Sequence, residues 1–437
     1  MTYMTKRKAE ERREAEPAGN MPRPEVAVIG GGAAGMMTAA TAARHGAAVT
    51  LFEREEKRGR KLGITGKGRC NLTNDCTRDE FMENVPGNAR FMFASFSAFD
   101  PRAVMEYFES LGVPLKVERG RRVFPVSDRA GDVVFALARE VDSSGCRTVH
   151  ARVEDVKVND GGGFTVTTAA GSRSFDRVVI ATGGMSYPRT GSTGDGYAFA
   201  HSMGHTVTDL RPSLVPIESV DTLCREAMGL TLKNVSLTVR DAQSGKNVFS
   251  DFGELLFTHF GLSGPLALSA SAAIRNVGNT AYEAVIDLKP ALDEKTLDRR
   301  VLSDFEKFRN RDLINSLGGL LPQKLISPFV EFVGIAPDKK VNSITRVERA
   351  RIISCLKNLV IPISGLRPVE EAVVTAGGVS VKEINPKTME SKLVPGLYFA
   401  GEIIDVDGYT GGYNLQIAWS TGHAAGIAAA FTGNNNH

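Results

Sequence analysis

Short apolar runs that end at glycine recur along the chain, and they predict the buried strands of a parallel sheet. Glu25–Ile29 (EVAVI) runs directly into the glycines of residues 30–35, and an Ala-, Met- and Thr-rich stretch follows over residues 36–45. Residues 48–52 form a second apolar run that ends at Glu53. Apolar runs of this length without alternation are typical of strands buried on both faces. The pattern therefore predicts a strand, a helix and a second strand in that order.

The same pattern returns in two later parts of the chain. Residues 178–182 (VVIAT) end at Gly183 and Gly184, and residues 396–402 (GLYFAGE) pass through Gly401 before a small-residue helix over residues 417–430. Because strand-and-glycine units stand near both ends of the chain, we expect one Rossmann-like α/β domain that is divided between residues 22–210 and 373–437.

The middle of the chain has a different periodicity. Apolar and polar residues alternate with β-rich composition over residues 230–241, 246–259, 282–288 and 360–363. Helical periodicity covers residues 293–308 and 345–359, with a further helical stretch over residues 313–333. We therefore expect a β-barrel-like inserted domain (211–289 and 359–372) that carries a helical subdomain (290–358), with residues 1–21 as a mobile, charged tail.

The composition fits a globular protein with more than one domain. The chain has 437 residues, of which 42% are hydrophobic and 24% charged, and its net charge of +3 is too small to indicate a nucleic acid or a membrane by itself. The five cysteines are widely spaced and form no CxxC pair, so we expect a reducing cytoplasm and no metal. No apolar run reaches the roughly 18 residues of a membrane span, and we expect no membrane association.

The first glycine cluster has the spacing of a dinucleotide cradle. Gly30, Gly32 and Gly35 form a GxGxxG motif between a predicted strand and a predicted helix. Gly30 permits the tight turn, Gly32 lets backbone N–H groups approach a pyrophosphate, and Gly35 lets helix and strand pack closely. Glu53 ends the next strand, where a carboxylate accepts hydrogen bonds from ribose hydroxyls. This motif favours NAD or FAD over NADP and does not choose between the first two.

Two further glycine-rich segments favour a flavin. Residues 59–74 (GRKLGITGKGRCNLTN) combine four glycines with Arg60, Lys61, Lys67 and Arg69, so they offer backbone donors and positive charge to an anionic ligand. A reduced isoalloxazine carries such negative charge. Gly408, Gly411 and Gly412 precede the C-terminal helix, whose first N–H groups suit an anion or a carbonyl. A simple NAD domain has its motif in one continuous stretch, whereas these segments come from both ends of the chain.

With these segments the sequence resembles the BaiN/RdsA family of FAD-dependent oxidoreductases, also described as aminoacetone-oxidase-like flavoproteins, over residues 24–433. The resemblance is carried by AVIGGGAAG (27–35), residues 59–74, RRVFPVSDRAGDVV (121–134), ATGGMSYPRTGSTGDGY (181–197), GELLFTHFGLSGP (253–265) and GLYFAGEIIDVDGYTGGYNLQIAWSTGHAAG (396–426). It implies an FAD-binding domain with an inserted β-rich domain and a helical subdomain.

The resemblance also implies which residues hold FAD. Glu53 is expected at the adenosine ribose, Val153 at the adenine, residues 61–71 along the flavin, Asp405 at the ribityl chain or pyrophosphate, and residues 412–415 at the pyrimidine edge. The full expected set is Gly30, Gly32, Ala33, Ala34, Gly35, Glu53, Arg54, Lys61, Gly68, Arg69, Cys70, Asn71, Val153, Thr182, Gly183, Gly401, Glu402, Asp405, Gly412, Tyr413, Asn414 and Leu415.

The group that exchanges a proton with the substrate has several candidates. Cys70 is the first, because it stands between Arg69 and Asn71, where positive charge would favour the thiolate. Tyr187 and His259 are phenol and imidazole alternatives within the motifs, and Tyr409 is a further phenol. Each of these side chains also has a plain structural interpretation, as a packed or hydrogen-bonded group.

Members of the family are associated with the reduction of a uridine in large-subunit ribosomal RNA to dihydrouridine, with the reduction of dehydro bile acids and with the oxidation of aminoacetone. The first two are the same operation on an activated C=C bond, and we expect the RNA reaction, with NAD(P)H as the reductant. A small-molecule reductase or oxidase and a flavin-binding protein without turnover stay open as alternatives. A disulfide reductase using Cys70 and Cys76 is disfavoured, because no second dinucleotide unit is present.

Ribosomal RNA as a partner would need clustered basic residues. Candidates occur in residues 54–69, at Arg119, Arg121 and Arg122, at Lys307, Arg309 and Arg311, and at Lys339, Lys340, Arg346, Arg349 and Arg351. Dispersed surface charge is the commoner arrangement, so sequence leaves open whether they share a face.

Overall fold

The computed structural model describes residues 23–275 and 277–431. The predicted tail over residues 1–21 lies outside the described residues, as do the first residue and the last six of the predicted split domain. No helix of the described part is both long and apolar enough to cross a membrane.

The described residues form strands and helices in mixed order. The strands are β1 Glu25–Ile29, β2 Ala48–Glu53, β3 Thr73–Asn74, β4 Leu115–Glu118, β5 Arg122–Pro125, β6 Arg147–His150, β7 Val153–Val158, β8 Phe164–Thr168, β9 Gly171–Phe175, β10 Arg177–Ile180, β11 Arg211–Ser213, β12 Ile217–Glu218, β13 Thr231–Asp241, β14 Asn247–Thr258, β15 Gly261–Ser263, β16 Tyr282–Asp287, β17 Leu359–Ile363, β18 Gly365–Leu366, β19 Val374–Ala376 and β20 Leu397–Phe399. The α-helices are α1 Ala33–Arg44, α2 Arg60–Ile64, α3 Arg78–Glu83, α4 Phe93–Ala98, α5 Pro101–Ser110, α6 Ala130–Ser143, α7 Asp195–Ser202, α8 Thr222–Glu226, α9 Gly264–Ala273, α10 Glu294–Lys307, α11 Gln323–Val333, α12 Arg346–Lys357 and α13 Tyr413–Ala430.

A five-stranded parallel sheet forms the centre of the molecule, in the order β20-β10-β1-β2-β6. Val28 lies between Val179 of β10 and Leu51 of β2, and all three side chains are buried. Strands covered on both faces need apolar residues at consecutive positions, which explains the unbroken runs in the sequence. The sheet uses strands from both ends of the chain, so the predicted parallel α/β core is confirmed.

Helices α1 and α13 cover this sheet side by side, and their contact depends on glycine. A Cβ atom on Gly422 of α13 would stand 2.7 Å from the carbonyl oxygen of Ala34, and one on Gly426 would stand 2.8 Å from that of Thr38. Carbon atoms do not approach oxygen so closely, so only glycine allows this separation of the helices. Trp419 of α13 is fully buried and donates to the carbonyl of Leu72 at 2.9 Å.

Two small antiparallel sheets flank the central one. Strands β4 and β5 form a hairpin whose second strand also pairs with β3. Strands β7, β8 and β9 form a meander between β6 and β10. The hairpin has its own role at the site described below.

The inserted segment builds a seven-stranded antiparallel sheet in the order β17-β16-β13-β14-β15-β12-β18. Helices α10, α11 and α12 pack on a separate apolar cluster that includes Leu237, Phe257, Leu297, Phe329 and Leu356. Strands β11 and β19 pair antiparallel where the chain enters and leaves this segment. The barrel-like shape, the separate helical subdomain and the domain boundaries stay predictions.

The His423 side chain on α13 gives a prediction about acid stability. Its ring stacks on Phe99 with centroids 4.3 Å apart, and its Nδ1 atom is buried without a partner in the described chain. Burial lowers the pKa of His423 from 6.5 to about 4. Between these two pKa values the His423 side chain is protonated in the unfolded chain and neutral in the folded chain. The free energy of unfolding therefore falls as the pH decreases from about 6.5 towards 4.

We expect His423→Gln to remove part of this acid sensitivity. In urea unfolding at pH 7 and at pH 4.5, the difference in unfolding free energy between the two conditions should be smaller for the variant than for the wild type. The exposed residue His201, changed to Gln, is the control and should keep the wild-type difference. An unchanged difference in His423→Gln would contradict the assignment.

Candidate functional site

One large cavity lies along the carboxyl ends of the central strands and extends to the inserted segment. Its volume is about 1110 Å³, which is above the roughly 300–1,000 Å³ of ordinary small-molecule sites. The carboxyl ends of parallel strands are where α/β proteins of this kind bind ligands. The residues that line the cavity come from many segments of the chain, between residue 29 and residue 418.

The turn between β1 and α1 forms one wall and is shaped by its glycines. Gly30 has a φ of +104°, and a Cβ atom there would stand 2.5 Å from the carbonyl oxygen of Ala181. A Cβ atom on Gly35 would overlap the carbonyl oxygen of Gly30. Gly32 caps the helix without a side-chain hydrogen bond, and a Cβ atom there would meet no atom within 4 Å. The first N–H groups of α1 therefore face open space, as a pyrophosphate requires.

The Glu53 carboxylate is fixed beside this turn. Its Oε2 atom accepts from the Gly31 N–H at 2.8 Å, and its Oε1 atom accepts from the Glu55 N–H at 2.8 Å. Each carboxylate oxygen has a second lone pair, and the residue lines the cavity. The carboxylate can therefore accept the hydroxyl groups of a ribose without a change of its own position.

Charged side chains close the cavity on the same side. Arg54 donates to Thr193 at 2.7 Å, and both Arg54 and Arg152 pair with Asp195, at 3.3 Å and 3.1 Å. Val153 lines the cavity next to Arg152. This arrangement leaves an apolar position with a flanking guanidinium, which suits an adenine ring.

Lys61 and Glu402 form an ion pair that joins the two ends of the chain inside the cavity. The Lys61 Nζ atom lies 2.6 Å from Glu402 Oε2 and 2.6 Å from Ser186 Oγ. Glu402 Oε1 also accepts from Ser186 Oγ at 3.0 Å and from the Thr375 N–H at 2.9 Å. Since both charged side chains are mostly buried, the network holds the ends of β20, β19 and α2 in a fixed relation.

The loop before α13 presents a second helix N-terminus to the cavity. Gly412 caps α13 with a φ of +104°, and a Cβ atom there would overlap the backbone of Thr73. Asn414 closes the loop, because its side chain accepts from the Gly408 N–H at 2.9 Å and donates to the Gly408 carbonyl at 2.7 Å. The free N–H groups of the first turn of α13 thus point to a position that suits an electron-rich carbonyl edge.

Two buried polar atoms that border the cavity have no partner in the described chain, namely Asn71 Oδ1 and Thr182 Oγ1. Buried polar atoms in folded proteins almost always have a hydrogen-bond partner. Together with the open space at Gly32, they are what a bound FAD molecule would complete. The residues present therefore fit FAD.

The part of the cavity next to the inserted segment has a different lining. Leu214, Leu256, Leu268, Val373 and Val374 supply aliphatic walls. Its polar groups come from Ser263, Tyr409 and Thr410, and Thr410 Oγ1 lies 3.3 Å from Ser269 Oγ of α9. This apolar end, which we call the chamber, is walled by both halves of the molecule and is separated in sequence from the dinucleotide motif.

Most of the residues expected to hold FAD line the cavity. They are Gly30, Gly32, Ala33, Ala34, Glu53, Arg54, Lys61, Arg69, Asn71, Val153, Thr182, Gly183, Gly401, Glu402, Gly412, Tyr413, Asn414 and Leu415. The lining does not include Gly35, Gly68, Cys70 or Asp405. Gly35 lies beneath the β1–α1 turn, Gly68 is exposed, and the Asp405 carbonyl accepts from Asn88 at 2.7 Å.

The surroundings of Cys70 are more apolar than its sequence neighbours suggest. The side chain is 0% exposed, and the backbone at Cys70 has a φ of +60°. Burial raises the pKa of Cys70 to about 12, which disfavours the thiolate, and a role for Cys70 at the flavin stays a prediction. His259 is exposed in the turn between β14 and β15, outside the lining. Tyr187 lines the cavity.

Sequence reasoning missed most of the chamber. Leu214, Leu268 and Val373 are single aliphatic residues whose position at a site depends on how β11 and β19 pair. Leu256 and Ser263 do lie within the GELLFTHFGLSGP motif, and Tyr409 and Thr410 lie within the motif over residues 396–426, so these two motifs carry the available signal. The described residues contain no group of three or more His, Cys, Asp and Glu side chains arranged to hold a metal.

Comparisons with known proteins agree on one family. The family model described as the HI0933-like protein Rossmann domain matches residues 24–428. A 3-dehydro-bile acid delta(4,6)-reductase of Clostridium scindens is 33% identical over 416 residues, which are 93% of this chain and 98% of that protein. A ribosomal RNA dihydrouridine synthase of Escherichia coli is 33% identical over 406 residues, 92% of this chain and 97% of that protein.

A solved structure agrees in fold. The 3-ketosteroid delta1-dehydrogenase of Sterolibacterium denitrificans, in complex with 1,4-androstadiene-3,17-dione, aligns with a TM-score of 0.50 and 13% identity. The alignment covers 93% of this chain and 99% of that one. At this identity the likeness supports the fold alone.

The open space at Gly32 gives a prediction about cofactor binding. We expect Gly32→Ala to fold normally, since its Cβ meets no protein atom, while the methyl group occupies the position where the pyrophosphate approaches the backbone. Added methylene-sized groups in packed sites cost about 1–3 kcal/mol, which corresponds to about five- to 150-fold weaker FAD binding. The measurement is titration of apoprotein with FAD, followed by flavin fluorescence.

Gly318→Ala is the matched control, because a Cβ atom at Gly318 also meets nothing within 4 Å and the residue lies outside the cavity lining. As apoproteins, both variants should unfold at the wild-type temperature. Wild-type FAD affinity in Gly32→Ala would show that the dinucleotide does not pass this turn.

Proposed function

Because the chain belongs to the HI0933-like family of FAD-dependent oxidoreductases, we propose that it uses NAD(P)H to reduce an activated C=C bond. The substrate that we propose is a uridine of large-subunit ribosomal RNA, and the product is dihydrouridine. The observation that carries the proposal is the continuity of the cavity, which joins the dinucleotide cradle to the aliphatic chamber.

The relatives support this choice. Proteins of Escherichia coli and Haemophilus influenzae, at 33% and 31% identity, are both named ribosomal RNA dihydrouridine synthase. The Clostridium scindens relative is named a bile acid reductase. Dihydrouridine and a reduced steroid ring are both products of adding two hydrogens across a C=C bond, so the same kind of site suits both reactions.

The chain's own residues would position the cofactor and keep water away. When bound, FAD supplies an isoalloxazine that exchanges a hydride at N5. Glu53 would hold the adenosine ribose, the N-terminus of α1 the pyrophosphate, and the N-terminus of α13 the carbonyl edge of the flavin ring. The cation of Lys61 would lie near the flavin and favour its negatively charged reduced form.

The chamber would receive the reacting part of the substrate. Its aliphatic walls exclude water, which strengthens every polar contact inside and prevents loss of reducing equivalents. An uncharged ring with a C=C bond fits such walls better than a charged group does. A uracil base would have to leave its stack to reach the chamber, as bases do in other enzymes that modify them.

A phenol would deliver the proton that completes the reduction. Of the four candidate donors expected from sequence, the phenols of Tyr187 and Tyr409 line the cavity, and Cys70 and His259 do not. Tyr409 is a second phenol there, and burial, followed by Asp407 and Asp251, raises its pKa. A raised pKa makes this phenol a weaker acid and therefore a poorer proton donor at neutral pH.

A small-molecule substrate is the alternative that the aliphatic chamber also favours. A dehydro bile acid or a similar apolar enone would fill its walls without a bound RNA, and an aminoacetone-like amine belongs to the same alternative. A flavin-binding protein without turnover of its own is the third possibility, and it differs from both in that no substrate would reoxidise the flavin.

Deletion of the gene tests the proposed substrate. In the native host, the deletion should abolish one dihydrouridine in large-subunit ribosomal RNA, and a plasmid copy should restore it. Mass spectrometry of nuclease digests measures the modification. An unchanged dihydrouridine content would refute the RNA substrate and leave the bile-acid-like or aminoacetone-like alternative.

The two phenols can be separated by variants of the holoenzyme. We expect Tyr187→Phe to lower kcat by about 10²-fold or more while anaerobic reduction of the flavin by NAD(P)H stays at the wild-type rate. Tyr409→Phe should leave kcat within about threefold of the wild type. The reverse result would transfer proton donation to Tyr409, and normal turnover in both variants would refute a phenol donor.

A further inference from the structure

The basic side chains that line the cavity differ in whether their charge is balanced. Five of them have a carboxylate partner: Arg54 and Arg152 pair with Asp195, Arg60 with Glu55, Lys61 with Glu402, and Arg69 with Glu118 and Asp128. Within the described part of the chain, Lys57, Lys67 and Arg122 also line the cavity and have no carboxylate within 4.0 Å. Unbalanced positive charge at a ligand cavity indicates an anionic ligand.

Two of these cations, Lys67 and Arg122, belong to chain segments that meet at Phe124. A Cβ atom on Gly66, the neighbour of Lys67, would stand 3.5 Å from the ring of Phe124. The guanidinium of Arg122 lies 5.8 Å from the centroid of the same ring. The guanidinium of Arg69 lies 4.1 Å from that centroid. Lys67 and Arg122 are both exposed, so they form a charged rim around the buried Phe124.

Hydrogen bonds join the hairpin that carries Arg122 to the loop that walls the chamber. Asn74 Nδ2 donates to the carbonyl of Gly120, at the tip of the β4–β5 hairpin, and to the carbonyl of Gly411, both at 3.0 Å. The neighbouring Thr410 contacts α9 of the inserted segment through Ser269. The hairpin tip is thereby fixed to the loop that walls the chamber. Lys57, in contrast, follows Glu53 at the other end of the cavity.

The hairpin tip carries further positive charge. Arg119 and Arg121 flank Gly120 and are exposed. Arg121 pairs with Glu80, whereas Arg119 has no carboxylate within 4.0 Å in the described part of the chain. Arg122 Nε donates to the Arg119 carbonyl at 3.1 Å, which fixes the direction of its guanidinium. The tip therefore presents more than one cation that the protein itself does not neutralise.

We infer that Lys67 and Arg122 bind phosphate groups of the RNA backbone that flank the uridine in the chamber. The inference rests on the proposed function. A ribonucleotide chain carries one negative charge per nucleotide, so a base that enters the chamber brings phosphates to its rim. A steroid or an amine substrate has no such groups. The pyrophosphate of FAD has its own donors at the N-terminus of α1, on a different wall.

The test measures RNA binding to the FAD-loaded protein at several salt concentrations. The probe is unmodified large-subunit ribosomal RNA transcribed in vitro, and the variant is Lys67→Asn with Arg122→Gln. Asparagine tolerates the φ of +60° at position 67. Each phosphate contact contributes about 0.7–0.9 to the slope of log K against log salt. The double variant should lower the slope by about 1.4–1.8.

The matched control is Lys387→Asn with Arg173→Gln, which removes the same two charges from exposed positions outside the cavity lining. It should keep the wild-type slope. An equal fall of the slope in both double variants would overturn the inference, because it would be an effect of net charge. An unchanged slope in Lys67→Asn/Arg122→Gln would overturn it as well.

Two further readouts separate other sources of phosphate. FAD content and the apparent affinity for NADPH and for NADH, measured by anaerobic flavin bleaching, should be unchanged in the double variant. Loss of FAD would assign the rim to the cofactor, and a selective loss of NADPH affinity would assign it to the reductant. Either result overturns the inference.

The wild type distinguishes this failure from failure of the proposed function. If the wild type and its control bind the RNA tightly while the rim variant does so equally well, the rim assignment fails and the RNA substrate stands. If the wild-type protein shows no salt-dependent binding of the RNA, both the rim assignment and the proposed substrate fail.

Discussion

The close approach of α1 to its neighbours is the constraint on which the rest of the structure depends. Gly30 and Gly35 bring α1 against the end of β1. Gly422 and Gly426 bring α13 against α1. No other residue fits at these contacts, because a Cβ atom would overlap a backbone carbonyl. The N-termini of both helices therefore reach the same cavity, and the geometry of the cofactor site follows from packing between backbones.

Both ends of the chain are needed for each part of the site. Lys61 pairs with Glu402, Asn74 holds Gly411, and Trp419 donates to Leu72. The inserted segment then adds aliphatic residues, so the chamber, unlike the dinucleotide cradle, is walled by both halves of the molecule. A ligand that contacts both halves stabilises their arrangement, because binding to the folded state alone shifts the folding equilibrium.

Sequence was most informative where backbone geometry permits few residues. The strands beside Gly30 and Gly183 and the role of Glu53 at the end of β2 could be predicted, since each needs a particular residue at a particular spacing. The burial of Cys70 could not be predicted, because it depends on the local backbone conformation, which has a φ of +60°. Leu214 and Leu268 could not either, since aliphatic residues fill cores and sites alike and only tertiary packing decides between them.

The order of strands in the central sheet has a consequence for synthesis of the protein. Strand β20 pairs with β10, and Val178 lies opposite Leu397, so about half of the chain emerges between the two partners. Until then β10 is an unprotected apolar edge, which is the kind of surface that joins nascent chains to one another. The β11–β19 ribbon closes the inserted segment on itself, so this segment can fold first and shorten the effective loop that β20 must close. An insertion that contributes to a binding site would in this way also act as an intramolecular chaperone for the domain that it interrupts.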